Sequence, residues 1–350
     1  MLHKWHTGIF WLALVTVLLG SCQEDDSQEN RDQQTTDSLA YDLPELKYLN
    51  DAIRQDKGNA ELWYQRAILW ENLQEYARAE QDLMHAADLA PDENYIPLRL
   101  ADLYLTARDQ EARFPDSRKA IATLERFLKG HPDNLAVRLE LARIHTIVMQ
   151  YDKAERQLEE VLKRDKRNAR AWMLRGNNYR LQGDTLRAIN AYQTCVELQP
   201  ENFTAHYELG LLFSGLGKDI ALDYFDNALR IDSTNEDVYY ARALFLQQSG
   251  RYREAIEAYR DMIRRNPQNE HALYNLGYIY FDLDSLDKAY RNFDLVTKIA
   301  PAYADAYYMR GQVAELQGNL NQARIDYIQT LNLDPEHELA HEGLDRIGRE

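Results

Sequence analysis

The chain has 350 residues, 57 acidic against 41 basic side chains, 45% hydrophobic residues and two cysteines, for a formal charge of −16. Single hydrophobic cores rarely grow past about 250 residues, so this length fits two domains or one extended array, folded through burial rather than disulfide staples. The deficit of Lys and Arg disfavours nucleic acid as a partner, because phosphate backbones are held by clustered cations, and it equally disfavours docking on anionic lipid by charge.

At the N-terminus, Lys4 precedes the apolar run 8–20, GIFWLALVTVLLG. Thirteen residues cannot cross a hydrocarbon core of about 30 Å as a helix, but they have the length of a signal-peptide core. The run ends in Leu19, Gly20, Ser21 and Cys22. That ending resembles the lipobox of bacterial lipoproteins, an aliphatic residue and two small ones before a cysteine. The resemblance implies that residues 1–21 are a signal peptide, that cleavage precedes Cys22, and that Cys22 becomes triacylated, enough for stable anchoring. Residues 22–42 are acidic and nearly devoid of apolar side chains, so they are expected to form a tether, about 25 Å across as a coil. Glu24, Asp25 and Asp26 resemble the surface-export signal of Bacteroidetes lipoproteins. The expected location is therefore a bacterial envelope, lipid-anchored, most naturally the outer membrane, facing outward or into the periplasm.

Residues 43–59 carry Leu46, Leu49, Ala52 and Ile53 at helical spacing and read as a capping half-repeat. From residue 60 onward one period governs the chain. Blocks 60–93, 94–134, 135–168, 169–202, 203–235, 236–269, 270–303 and 304–337 tile without gaps. Counting from the first residue of each block, position 8 is Ala67, Ala101, Ala142, Gly176, Gly210, Ala243, Gly277 and Gly311, and position 20 is always alanine. Position 24 carries Tyr192, Phe225, Tyr259, Phe293 and Tyr327 in the later blocks, and six prolines stand at position 32. Lys166 and Ser233 replace proline there in blocks three and five, which weakens the stop signal. This is similar to the tetratricopeptide pattern of a 34-residue helix-turn-helix. The resemblance implies an all-α, right-handed α-solenoid of eight repeats, with helices A and B of each repeat crossing where positions 8 and 20 meet. Block two carries seven extra residues within 106–117 and block five is one short. Residues 338–350 read as a C-terminal capping helix.

Enzymatic chemistry finds little support. His337, Glu338 and His341 spell H-E-x-x-H, but zinc needs a third ligand and no histidine follows His341. There is no phosphate loop, nucleophile elbow or paired-cysteine motif, and Cys195, at a small-residue position, reads as structural. No catalytic residue, metal site or cofactor is expected.

In tetratricopeptide solenoids, positions 2, 5, 9 and 12 of the A helices face the concave side. Here they offer Tyr64, Tyr207, Tyr240, Tyr274 and Tyr308, extended by Tyr278 and Phe281, with Arg143, Arg170, Asn177 and Arg180 in the middle. Tyrosine supplies broad contact area with a polar tip, suited to a polypeptide or a sugar chain. No lysine occupies position 5, so the carboxylate clamp of chaperone-binding domains is unsupported, and position 6 lacks the asparagine ladder of the glycosyltransferase-type groove. The expectation is a non-catalytic, lipid-anchored scaffold that binds a partner protein or peptide in the groove; a glycan- or peptidoglycan-binding module is the alternative.

Overall fold

The computed structural model of the chain describes residues 43–106 and 116–348. The expected signal peptide, Cys22 and the tether lie outside the described residues, as do residues 107–115 of the block-two insertion. Among the described residues there are eighteen helices and no strand. Helix α1 (Pro44–Gln55) precedes eight A/B pairs: α2 (Ala60–Asn72) with α3 (Tyr76–Leu89), α4 (Tyr95–Thr106) with α5 (Ser117–Gly130), α6 (Leu135–Ile147) with α7 (Tyr151–Arg164), and α8 (Ala169–Leu181) with α9 (Thr185–Leu198). Then come α10 (Phe203–Gly215) with α11 (Ile220–Ile231), α12 (Glu236–Gln248) with α13 (Tyr252–Arg265), α14 (Glu270–Asp282) with α15 (Leu286–Ile299), and α16 (Ala304–Leu316) with α17 (Leu320–Leu333). Helix α18 (Glu338–Ile347) ends the series. The chain divides into two compact units, the first reaching Val137 and the second starting at Arg138.

Six of the eight A helices start on an asparagine side-chain cap at the residue just before the block. Asn59, Asn134, Asn168, Asn202, Asn235 and Asn269 each accept a hydrogen bond from a backbone N–H of the first helical turn, at 2.8–3.1 Å. A cap of this kind contributes about 1 kcal/mol. Position 31 shapes the same turn. Asp165 accepts from the Arg167 amide at 3.1 Å and Asp232 from the Thr234 amide at 2.9 Å, beside the two positions that lack proline. The Asx turn thus bends the chain where Lys166 and Ser233 stand, and helices α7 and α11 stop as cleanly as their proline-bearing counterparts.

The turn between A and B needs a left-handed residue at position 15. Gly183, Gly217, Gly250 and Gly318 supply it, but so do Gln74, Met149 and Asp284, with φ of +63°, +60° and +53°. A side chain in that region costs on the order of 1 kcal/mol. Met149 is 75% exposed and gains nothing by packing. We expect Met149→Gly to raise unfolding stability by about 0.5–1 kcal/mol, read as a higher urea midpoint at unchanged slope. An unchanged or lower midpoint would sink that account.

Within a repeat, position 8 faces the ring at position 24 rather than the alanine at position 20. A Cβ built on Gly176 would lie 2.5 Å from the Tyr192 ring, one on Gly210 2.5 Å from Phe225, and one on Gly277 2.9 Å from Phe293. These rings are fully buried. Where position 24 is the smaller Leu83, Leu124 or Leu158, position 8 is alanine; only Ala243 stands against a ring, Tyr259. The expected crossing of positions 8 and 20 is thereby corrected: the close approach is glycine to aromatic face. Tyrosine replaces phenylalanine where helix A offers an acceptor, as the hydroxyls of Tyr192, Tyr259 and Tyr327 donate to Asn177, Gln247 and Glu315 at 2.6, 2.8 and 2.5 Å.

In four of the eight repeats position 4 ties the A helix to the turn before it. Trp63 Nε1 donates to the Lys57 carbonyl at 3.0 Å, Trp172 Nε1 to Lys166 at 3.0 Å, His206 Nε2 to Pro200 at 2.9 Å and Tyr239 Oη to Ser233 at 3.2 Å. His341 Nε2 makes the same bond to Pro335 at 3.0 Å, so α18 takes the register of a ninth A helix rather than an unrelated cap.

Candidate functional site

The A-helix positions expected to face a groove come together within each unit. In the first, Tyr64 is half-buried and meets the Tyr95 ring edge-on at 4.8 Å. Burial and the Glu61 carboxylate, which accepts the Tyr95 hydroxyl at 3.1 Å, push the Tyr95 phenol up to about 12. Arg99 of α4 donates to Glu71 of α2, so the face of this unit is already paired across neighbouring A helices.

In the second unit the cationic patch is present, but it is answered by carboxylates. Arg143 Nη2 lies 2.5 Å from Glu140, Arg170 lies 3.6 Å from the same residue, and Arg180 Nε lies 3.2 Å from Glu208. Burial pushes the Glu208 carboxyl up while Arg180 pulls it down. Sequence reading had missed both glutamates. The signal available was their place at position 6 of α6 and α10, beside the position-5 residue already assigned to the groove. Asn177, counted with the arginines, spends its oxygen on the Tyr192 hydroxyl at 2.6 Å. Arg170 is more than half exposed.

The tyrosine stripe divides into rings covered by neighbouring side chains and rings left open. Tyr207 stacks on Phe203 at 6.1 Å, and Tyr240 accepts from Asn275 Nδ2 at 3.2 Å. Tyr274 stacks on Tyr303 at 5.1 Å and meets Phe293 edge-on at 5.5 Å; burial drives its phenol well above the usual range. Tyr308 is only 9% exposed, closed in by His337 at 4.9 Å and Tyr327 at 5.9 Å. Its expected place on an open groove is corrected, because the start of α18 lies over the ring. Phe281 is half-buried against the core, whereas Tyr278 is 39% exposed. Leu211, at position 9 of α10 and not singled out from sequence, is 38% exposed.

The H-E-x-x-H residues are occupied in other ways. His337 stands outside α18 as its N-cap, its Nδ1 accepting from the Ala340 amide at 3.2 Å and its Nε2 lying 3.3 Å from Asp305. His341 is bound to Pro335, as above. Among the described residues no three His, Cys, Asp or Glu side chains gather in a way that could hold a metal ion. Cys195 is buried, and desolvation pushes its thiol up to about 11, away from reactivity.

Models of the tetratricopeptide repeat match residues 60–93, 116–177, 176–217, 240–291 and 304–337. Among curated proteins, the BBSome complex member BBS4 of Bos taurus is 31% identical over 133 residues, 38% of this chain and 25% of the relative. RNA polymerase II-associated protein 3 of Rattus norvegicus is 29% identical over 112 residues, 32% of this chain and 17% of the relative. The chain thus spans a quarter or less of the length of these relatives. Among solved structures, the C-terminal part of a TPR repeat-containing protein from Cytophaga hutchinsonii superposes with a TM-score of 0.60 at 16% identity, covering 70% of this chain and 98% of that one. The matched segments, the shared fold and the helix-pair packing of both units lead to one assignment: the chain is a tetratricopeptide-repeat protein.

Proposed function

We propose that the chain is a non-catalytic scaffold, moored in a bacterial envelope through lipid on Cys22, that holds a partner polypeptide along the A-helix face of the unit starting at Arg138. The observation that carries this reading is the pair of position-9 side chains, Leu211 and Tyr278, left 38% and 39% exposed on that face. Apolar side chains left partly open at the same position of two A helices give an extended polypeptide anchoring contacts on one face. The neighbouring Arg180–Glu208 pair and the exposed Arg170 add polar partners for a polypeptide backbone or acidic side chain. A sugar chain would want open ring faces, but those of Tyr207 and Tyr274 are stacked on Phe203 and Tyr303. A polypeptide is therefore the better-supported partner. The mooring rests on the lipobox; among the described residues no helix is long and apolar enough to cross a membrane.

The test is crosslinking in detergent-solubilised envelopes, with Leu211→Asp and Tyr278→Ala compared with the parent chain. Each is expected to cut recovery of the crosslinked polypeptide about tenfold, the effect of a central contact residue. Equal recovery in both variants would overturn the placement of the site, and loss of retention on cell-wall material instead would favour the glycan reading. Cys22→Ser should release the chain into the soluble fraction; continued membrane association would refute the anchor.

A further inference from the structure

The position-4 tie described above has a gap in the first unit. In α4 that position is Pro97, which has no side-chain donor and too little bulk to replace an indole. The space stays open as a cavity of about 320 Å³, bounded by Met84 and Ala87 of α3, Pro97 and Leu100 of α4, and Thr123 and Phe127 of α5. Pro91 also lines it, and it is the Pro91 carbonyl that holds the acceptor place served by Lys57 for Trp63 and by Lys166 for Trp172. At the corresponding place beside Tyr239, between Met262 and Arg265, only about 10 Å³ remains. The cavity is therefore roomy enough to take an aromatic ring.

We propose that this cavity binds the tryptophan side chain of a partner polypeptide, which enters where Trp63 and Trp172 are built in elsewhere in the chain. The repeats themselves show what the site accepts. Their position-4 rings donate to the turn carbonyl, and a guanidinium lies over the ring: Arg66 at 4.8 Å from Trp63, Arg175 at 5.3 Å from Trp172 and Arg265 at 4.3 Å from Tyr239. Arg126, at a different repeat position from those three arginines, lines the open cavity and puts a cation beside the electron-rich face of an incoming indole. A polypeptide source fits the mouth, where Met84 lines the cavity, is 46% exposed and offers apolar contact to residues flanking the tryptophan. The volume is at the lower end of the range for ligand sites and admits an indole. This site is independent of the A-helix face of the second unit and uses none of its residues.

Titration calorimetry of the full chain with N-acetyl-tryptophanamide tests the proposal, with indole and N-methylindole as comparison probes. N-acetyl-tryptophanamide and indole should bind with dissociation constants on the order of 1 mM, expected for so small a group. N-methylindole, which cannot donate, should bind about fivefold more weakly, the effect of one hydrogen bond. Pro97→Trp should fill the cavity from within, abolish binding of all three probes and raise the thermal midpoint. Should that variant fail to fold, Ala87→Phe fills the same space from α3 and should also abolish binding. Equal affinity for indole and N-methylindole, or binding that survives either filling variant, would overturn the site. Binding of indole without N-acetyl-tryptophanamide would overturn the polypeptide source.

Discussion

Asp326→Ala is expected to destabilise the C-terminal repeats by about 3–5 kcal/mol, the largest effect of any single substitution considered for this chain. Arg310 of α16 holds Asp326 of α17 with two bonds, Nη2 to Oδ1 at 2.6 Å and Nε to Oδ2 at 3.0 Å. Its remaining Nη1 reaches Asp294 at 2.7 Å and Thr297 Oγ1 at 2.9 Å on α15 of the preceding repeat. The Asp326 side chain is fully buried and that of Arg310 is 13% exposed. Deleting the aspartate leaves a desolvated guanidinium with half its partners, and the cost comes from that orphan rather than from the worth of the pair. Replacing both residues, as Arg310→Met with Asp326→Leu, should therefore cost much less than the single change. Because repeat arrays need not unfold in one step, hydrogen exchange across α15 to α18 is the direct reading alongside a urea melt. A loss under about 1 kcal/mol for the single variant, or a double variant no better than the single, would remove the argument. The first unit carries a relative of this lock, in which Arg66 holds Asp82 at 2.7 Å through both Nε and Nη2, and Asn50 of α1 at 2.7 Å through Nη1.

Gly210→Ala should cost about 1–3 kcal/mol, although the same exchange in an open helix gains about 1 kcal/mol. The new Cβ would lie 2.5 Å from Cε1 of Phe225, a ring with no exposed surface and hence no room to withdraw. Gly215, at the end of the same helix, is the internal control. Nothing lies within 4 Å of a Cβ there, so Gly215→Ala should be neutral or slightly stabilising. Adding Phe225→Leu to Gly210→Ala recreates the pairing found at Ala67 with Leu83, and should recover at least about 1 kcal/mol relative to the sum of the two single changes. Thermal and urea unfolding of the four variants completes the cycle. Strict additivity would mean that glycine and ring do not constrain each other.

That coupling marks where reading along the chain stops. Periodicity placed a pair of helices in each block, since each repeat writes its own apolar spacing, its small residue at position 8 and its turn, and these are local properties of a short segment. It also placed Tyr278 on the A-helix face, where it is exposed. The partner of position 8 was misjudged, because which of two buried side chains comes nearest depends on how the helices are rotated against each other. Glu140 and Glu208 went unseen because a spacing rule for groove positions says nothing of charges one residue away until the neighbouring helix brings an arginine to them. The ion lock at Arg310 was silent for the same reason: its partners lie 16 residues away on either side, on different helices. Tyr308 carried the same signature as Tyr240 and Tyr274, yet only the arrival of α18 decided that it would be covered. By itself the sequence determined the number and phase of the helices, because hydrophobic repeat and capping act within a few residues. Which rings stay open, which charges are answered and where a missing side chain leaves a hole were decided by tertiary packing, because exposure and electrostatic pairing are properties of the space between elements.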